Sequence, residues 1–314
     1  MSEDIRTDAM AILRAGIERV DPREMIKQNV LLSDQTLTLR SVEREVTLDL
    51  SDFDRIVVTG AGKATARMAA GLEEIVGERI ERGVIAVKPG HVDRLKRIEM
   101  VEAGHPVPND GSLAAARKIL DVARSADNRT LAINLISGGG SALLTLPYTD
   151  ETTRLTLDDL QRTTSVLLAC GATIQEINCV RKHLSAIKGG RIATAFTPAR
   201  VVSLILSDVV GDDLSSIASG ITAPDATTYR DVRSIFKTYG IENELPDAVR
   251  ELVRRGIEGA VPDTPDASDP VFKNVDNLLI GSNAQALASA RRKAETLGYN
   301  AVILSSQIIG EARE

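Results

Sequence analysis

Tryptophan is absent from the 314 residues, cysteine occurs twice and aromatic residues make up 3%. Cys170 and Cys179 form no CxxC pair, so they build neither a disulfide framework nor a cysteine-rich zinc site. A reducing, cytoplasmic setting is predicted, with both thiols as small buried side chains. Nowhere do about 18 apolar residues follow one another, the length that a membrane span needs. The opening Met1-Ser2-Glu3-Asp4-Ile5-Arg6 carries charge where a signal peptide carries an apolar core. No Lys/Arg run stands out and the net charge is −6, which excludes the basic face and stacking platforms that nucleic acid requires. With 43% hydrophobic and 26% charged residues the composition is that of a soluble globular protein acting on small molecules.

At about 150 residues per domain the length predicts two domains. Ile5, Ala9, Ile12, Leu13, Ile17 and Val20 fall on one helical stripe, closed by Asp21-Pro22. A polar, hairpin-like stretch over 36–50 follows. Apolar runs at 55–59, 84–87, 98–103, 131–136 and 201–206 then alternate with helical patterns at 63–76, 110–124, 157–169 and 174–184. Fully apolar strands separated by helices predict a parallel sheet covered on both faces, an α/β doubly wound, Rossmann-like fold. Residues 1–260 are expected to form this domain and the proline- and aspartate-rich 261–270 a linker. Residues 271–314, with strands at 277–280 and 301–304, then begin a second α/β domain.

Two glycine turns follow apolar strands, where such folds bind ligands. In Gly60-Ala61-Gly62-Lys63-Ala64-Thr65, Val57 stands where a Walker A loop has its first glycine, and Thr65 where a dinucleotide fingerprint has its third. Lys63 opens a helix whose dipole disfavours a cation, so a bound anion would satisfy both, with a plain turn and a solvated lysine as the alternative. Ser137-Gly138-Gly139-Gly140-Ser141 lets a backbone approach phosphate or carboxylate closely. Leu143 stands where a nucleophile elbow has its last glycine, which argues against a serine nucleophile, and an ordinary loop is the alternative. Arg181-Lys182-His183 and Lys188-Gly189-Gly190-Arg191 form a basic cluster in which Arg181 and Lys188 would share a face of a continuous helix. A solvated surface is the alternative there, and His183 is either an acid–base group or a core histidine. Asp208, Asp212 and Asp213 offer oxygen ligands suited to Mg²⁺, or else form an Asx turn and a helix cap. His105, in a rigid Gly/Pro loop, is placed to line the cleft.

Taken in order, GAGKA (60–64), GHPVPND (104–110), SGGGSALL (137–144), INCVRKHLSAIKGGRIA (177–193), LSDVVGDDLSSIASGITAPD (206–225), IGSN (280–283) and GEAR (310–313) resemble the glycerate 2-kinases, whose members carry a C-terminal MOFRL domain. The resemblance implies an ATP-dependent kinase giving 2-phospho-D-glycerate from D-glycerate with Mg²⁺, in a cleft between two α/β domains. It implies that the sequence ending at Glu314 lacks most of the second domain and a cleft arginine from it. A homodimer is compatible with it. Since phosphoryl transfer depends on positioning and charge neutralisation, Lys63 and the backbone of Ser137, Gly138, Gly139, Gly140 and Ser141 would hold phosphate oxygens. Arg181 and Lys188 would pair with the carboxylate or the transferring group, and Asp208, helped by Asp212 or Asp213, would hold Mg²⁺. His183 and Asp208 are the candidate bases. The alternative is an NAD(P)H-dependent hydroxypyruvate reductase, an older label for such sequences, motivated by the Gly60-x-Gly62 turn. A non-catalytic binding module is a third reading, favoured only were Glu314 the true C-terminus.

Overall fold

A computed structural model of the chain describes residues 2–308. After helices Ser2–Arg19 and Pro22–Asn29 comes an antiparallel meander of β1 (Val30–Ser33), β2 (Thr36–Arg40) and β3 (Glu45–Asp49). Alternation turns Leu37 and Leu39 of β2 into the core, beside Met25 and Ile26. The main sheet contains β4 (Arg55–Ala61), β5 (Ile80–Val87), β6 (Ile98–Glu102), β7 (Thr130–Ile136), β8 (Arg200–Leu206) and β9 (Val275–Gly281). All six are parallel, in the order β6-β5-β4-β7-β8-β9. The chain winds outward from β4 to β6, returns to β7 and winds outward again, so the direction reverses between β4 and β7. The doubly wound, Rossmann-like expectation is therefore met, and the two glycine turns leave the sheet side by side at its switch point.

Every residue of β7 is buried, because each face of the sheet is covered. Val58, Ile133 and Leu204 pack with Met68 and Leu72 of helix Thr65–Val76 on one face. On the other, Val57, Ala132 and Val201 share a core with Ile119 of helix Asp110–Arg124 and Phe196. A third cluster lies among helices Leu157–Ala169, Ile174–His183, Tyr229–Tyr239 and Asp247–Ile257, with Tyr229, Phe236 and Leu252 inside. The last two of these helices have no counterpart in the sequence analysis.

The predicted boundary at 261–270 does not survive. Val261 and Thr264 are buried, Asp263 accepts the Tyr229 N–H at 2.7 Å, and the Pro265 carbonyl accepts the Asp225 N–H at 3.0 Å. Aspartate and threonine satisfy interior donors here, which composition alone read as solvated chain. Beyond it, β9 pairs with β8 instead of founding a new sheet. Thr59, Asn134, Ser203 and Asn277 are successive neighbours across β4, β7, β8 and β9, and Thr222 joins Ser203 to Asn277 at 2.8 and 2.7 Å. Helix Asn283–Thr296 packs on helix Ser2–Arg19, where a Cβ on Gly16 would lie 3.1 Å from the Ala286 carbonyl. That close approach uses small residues, and Ile5, Leu13 and Ile17 of the helical stripe are exposed. The predicted strand at 301–304 is irregular, with Val302 and Leu304 exposed. The GEAR stretch lies outside the described residues.

Candidate active site

Both glycine turns are shaped by their contact with each other. β4 runs two residues further than expected, through Ala61, and a Cβ on Gly60 would overlap the Leu135 carbonyl of β7, one on Gly62 the Ser137 side chain. These glycines therefore serve the close fit of β4 to β7. Ser137 Oγ accepts the Ala64 N–H at 3.1 Å, ahead of helix Thr65–Val76, and the Gly138 carbonyl accepts the Lys63 N–H at 2.9 Å. Lys63 thus sits just before the helix, held to the second glycine loop. The amides of Gly138, Gly139 and Ser141 have no acceptor among the described residues, which leaves them open to an anion.

Lys63 Nζ lies 3.7 Å from Asp208, and both side chains are about half exposed. Such a pair adds about 0–1 kcal/mol to stability, so it is free to rearrange around a ligand. A Cβ on Gly138 would overlap the Asp208 carboxylate. Gly138→Ala is accordingly expected to open the 3.7 Å pair, which a crystal structure of the variant checks directly. At the next residue of the loop, the place of a Gly139 Cβ is 2.9 Å from the His105 ring and 3.3 Å from Lys63 Cε. Burial, and then the charges of Lys63 and Lys88, hold the His105 pKa below its ordinary value, with Asp208 offsetting part of this. His105 is therefore neutral at pH 7 and able to accept a proton.

Arg181 comes from the last turn of helix Ile174–His183, which begins with a capping box between Thr173 and Glu176. Its guanidinium is half-buried, burial lowers its pKa, and it has no hydrogen-bond or ion-pair partner among the described residues. It faces a cleft of about 460 Å³ whose wall includes His105, Gly139, Ser141 and Lys188. Leucines of helix Leu157–Ala169 line the same cleft, and Gln161 fastens that helix to the His105 loop by donating to the Pro108 carbonyl at 2.8 Å. A partly desolvated guanidinium without a counter-ion is a site for a carboxylate or phosphate, which its fork matches bidentately.

Three expected site residues sit elsewhere than their sequence suggests. His183 is fully buried; its Nδ1 meets the Cys179 carbonyl at 2.9 Å and its ring lies edge-on to Tyr229. It is a core histidine, outside the cleft, and burial lowers its pKa. Lys188 borders the cleft but is turned into protein carbonyls. Asp213 accepts from Ser215 N–H and the Ser215 and Ser216 hydroxyls at 3.0, 2.9 and 2.6 Å, an Asx turn. No group of three or more His, Cys, Asp or Glu suited to a metal occurs among the described residues, so Asp208 and Asp212 are not part of a closed acidic cage. Mg²⁺ is commonly held by one or two carboxylates together with substrate phosphates, and Asp208 fits that donor set. The cysteines are free, Cys179 buried with its thiol pushed up to about 12 by burial, Cys170 only half-buried.

Lys182 and Asp225 form a buried ion pair at 2.9 Å that the sequence did not reveal. Asp225 also accepts from Thr227 N–H and Oγ1 and from Thr264 Oγ1 at 3.0, 2.8 and 2.9 Å. Lys182 and Asp225 lie in the stretches 177–193 and 206–225, and nothing in either marks them as a pair.

The family model described as "Domain of unknown function (DUF4147)" matches residues 8–254. Glycerate 2-kinase of Pyrococcus horikoshii is 38% identical over 311 residues, 99% of this chain and 67% of its own. A protein of Agrobacterium vitis named "Putative hydroxypyruvate reductase" is 43% identical over 260 residues, 83% of this chain and 56% of its own. The crystal structure of glycerate kinase from Thermotoga maritima superposes with a TM-score of 0.80 at 35% identity, covering 96% of this chain and 65% of that one. The chain spans about two thirds of the length of the P. horikoshii and T. maritima proteins.

Proposed function

The chain belongs to the glycerate 2-kinase family and its DUF4147 domain, and from that premise we propose that it transfers the γ-phosphoryl group of ATP to the 2-hydroxyl of D-glycerate, giving 2-phospho-D-glycerate. The observation that carries the reading is Arg181, an unpartnered guanidinium in a cleft at the switch point of the sheet. Arg181 would take the glycerate carboxylate, the open amides of the Ser137–Ser141 loop would take phosphate oxygens, and Lys63 would neutralise charge on the transferring group. Asp208 would hold Mg²⁺, which when bound shields the phosphate charge. The proton of the 2-hydroxyl would go to Asp208 or His105, both beside Gly139 or Gly138. Keeping water from the γ-phosphate calls for a lobe that closes over the loops at Gly60 and Ser137, and the additional length of the relatives offers room for one.

The glycine turn by itself does not call for the reductase alternative, whose name one of the similar proteins carries. Gly60 and Gly62 are accounted for by Leu135 and Ser137, so neither glycine requires a pyrophosphate. The deciding assay supplies ATP, Mg²⁺ and D-glycerate and resolves 2- from 3-phosphoglycerate. Binding of both substrates without either product would end the kinase reading, and hydroxypyruvate-dependent oxidation of NAD(P)H would replace it. Arg181→Gln is expected to raise the KM for D-glycerate about 10–100-fold, since a hydrogen bond to a charged group is worth about 1.5–3 kcal/mol. Steady-state kinetics at varied D-glycerate measure this.

A further inference from the structure

Lys188 is buried and all three of its N–H groups are used. Nζ donates to the Ser141 carbonyl at 2.6 Å, the Leu144 carbonyl at 3.0 Å and Ser141 Oγ at 3.2 Å. An ammonium has no fourth donor to give to a ligand. Its own backbone is strapped down: Gly189 and Gly190 donate to the Ser219 and Gly220 carbonyls at 3.0 and 2.7 Å, and Ala186 to the Leu146 carbonyl at 2.9 Å. Ser141 Oγ meets Ser219 Oγ at 2.7 Å, and Ser219 Oγ donates to Asn178 Oδ1 at 3.3 Å on the helix that carries Arg181. One network therefore joins the glycine loop, the Lys188 strap and the Arg181 helix.

We propose that Lys188 is a positioning residue whose ammonium clamps the glycine loop from behind, and that an anion on Arg181 tightens the clamp. The inference rests on the kinase reading only in taking D-glycerate as that anion. No carboxylate pairs with Lys188 among the described residues; burial, followed by the like charge of Arg181, lowers its pKa to about 7. The proton that holds the clamp is thus one that Lys188 gives up more readily than a solvated lysine does. A carboxylate on Arg181 cancels the opposing charge, raises the proton affinity of Lys188, and draws a proton in as it binds. By linkage, protonation tightens anion binding by the same factor. A neutral amine keeps only two N–H donors, and the Ser141 hydroxyl that could donate to its lone pair is turned to Ser219 Oγ, so one of the three contacts is lost as the proton leaves.

Other charged groups border this region. Lys63, Asp208 and His105 face the opposite side of the loop. Behind Gly189, Asp225 is neutralised by Lys182. Of these, His105 has its pKa lowered by burial and then by Lys63 and Lys88, so it too gains a proton when an anion arrives.

The test is calorimetric titration of the whole protein with D-glycerate at a pH just above 7, in buffers of different ionisation enthalpy. Net proton uptake is expected, persisting in His105→Gln and losing most of its size in Lys188→Met. The pH profile of kcat/KM, which reports the free enzyme, should fall as pH rises through about 7 in the parent and lose that limb in Lys188→Met. Should Lys188→Met not fold, Ser141→Ala removes one acceptor only and is expected to move the limb to lower pH. Unchanged uptake in Lys188→Met, or an unmoved limb in Ser141→Ala, overturns the proposal. Sulfate separates the two readings: uptake with sulfate where D-glycerate fails to bind supports the clamp and counts against the substrate. No uptake with either anion overturns the clamp.

Discussion

Lys63→Met is expected to lower turnover about 10²–10³-fold, the size of effect seen when one preorganised donor to transition-state charge is removed, and to leave the melting temperature nearly unchanged. Both halves follow from its surroundings. The Lys63 side chain is about half exposed and its ion pair with Asp208 is 3.7 Å long, so its loss costs about 0–1 kcal/mol of stability. Its backbone, by contrast, is pinned to the Gly138 carbonyl at 2.9 Å, and methionine keeps that bond and the length of the stem. What disappears is the charge beside the loop, and only the reaction needs it. Turnover with ATP and D-glycerate, measured beside thermal unfolding of the same samples, checks this. Near-parental turnover would remove Lys63 from the mechanism, and a large fall in melting temperature would make it a structural residue.

Breaking the Lys182–Asp225 pair should act on stability. Both side chains are almost fully buried, and removing one partner of such a pair leaves an uncompensated charge at a cost of about 3–5 kcal/mol. Lys182→Met is therefore expected to lower the unfolding free energy measured in urea by that amount, while Lys182→Met with Asp225→Leu should lose less than the single variant. The acid side follows from the same carboxylate. Burial by itself would raise the Asp225 pKa, but the bonds from Lys182 and Thr227 outweigh it and the net shift is downward. A carboxylate lowered on folding contributes its full stability above its unfolded pKa and loses it as pH falls through the folded one. Asp225→Asn should flatten that acid loss in unfolding curves taken at successive pH values. An unaltered acid limb in Asp225→Asn would show that other carboxylates set it.

The α/β class, the parallel strands and the two glycine turns were legible in the chain, because they depend on local patterns. A strand buried on both faces is apolar throughout, as β7 is, and a turn that admits no Cβ requires glycine, as at Gly60 and Gly138. The sequence also brought forward Lys63, Asp208 and Arg181, which the folded chain places around or beside one loop. Tertiary structure alone decided the rest. His183 and Arg181 are two residues apart on one helix, yet the helix turns one into the core against Tyr229 and the other into the cleft. Lys188 has the composition of a ligand-binding lysine, and only the strap at Gly189 and Gly190 aims it at carbonyls. The stretch 261–270 has the composition of a linker, but Asp263 and Thr264 find interior donors and acceptors that lie about 34 and 39 positions away. Side-chain identity and periodicity fix what a residue can do and which local element it joins. Which partner satisfies it depends on contacts between segments distant in the chain, and burial makes those contacts obligatory once the sheet has brought the segments together.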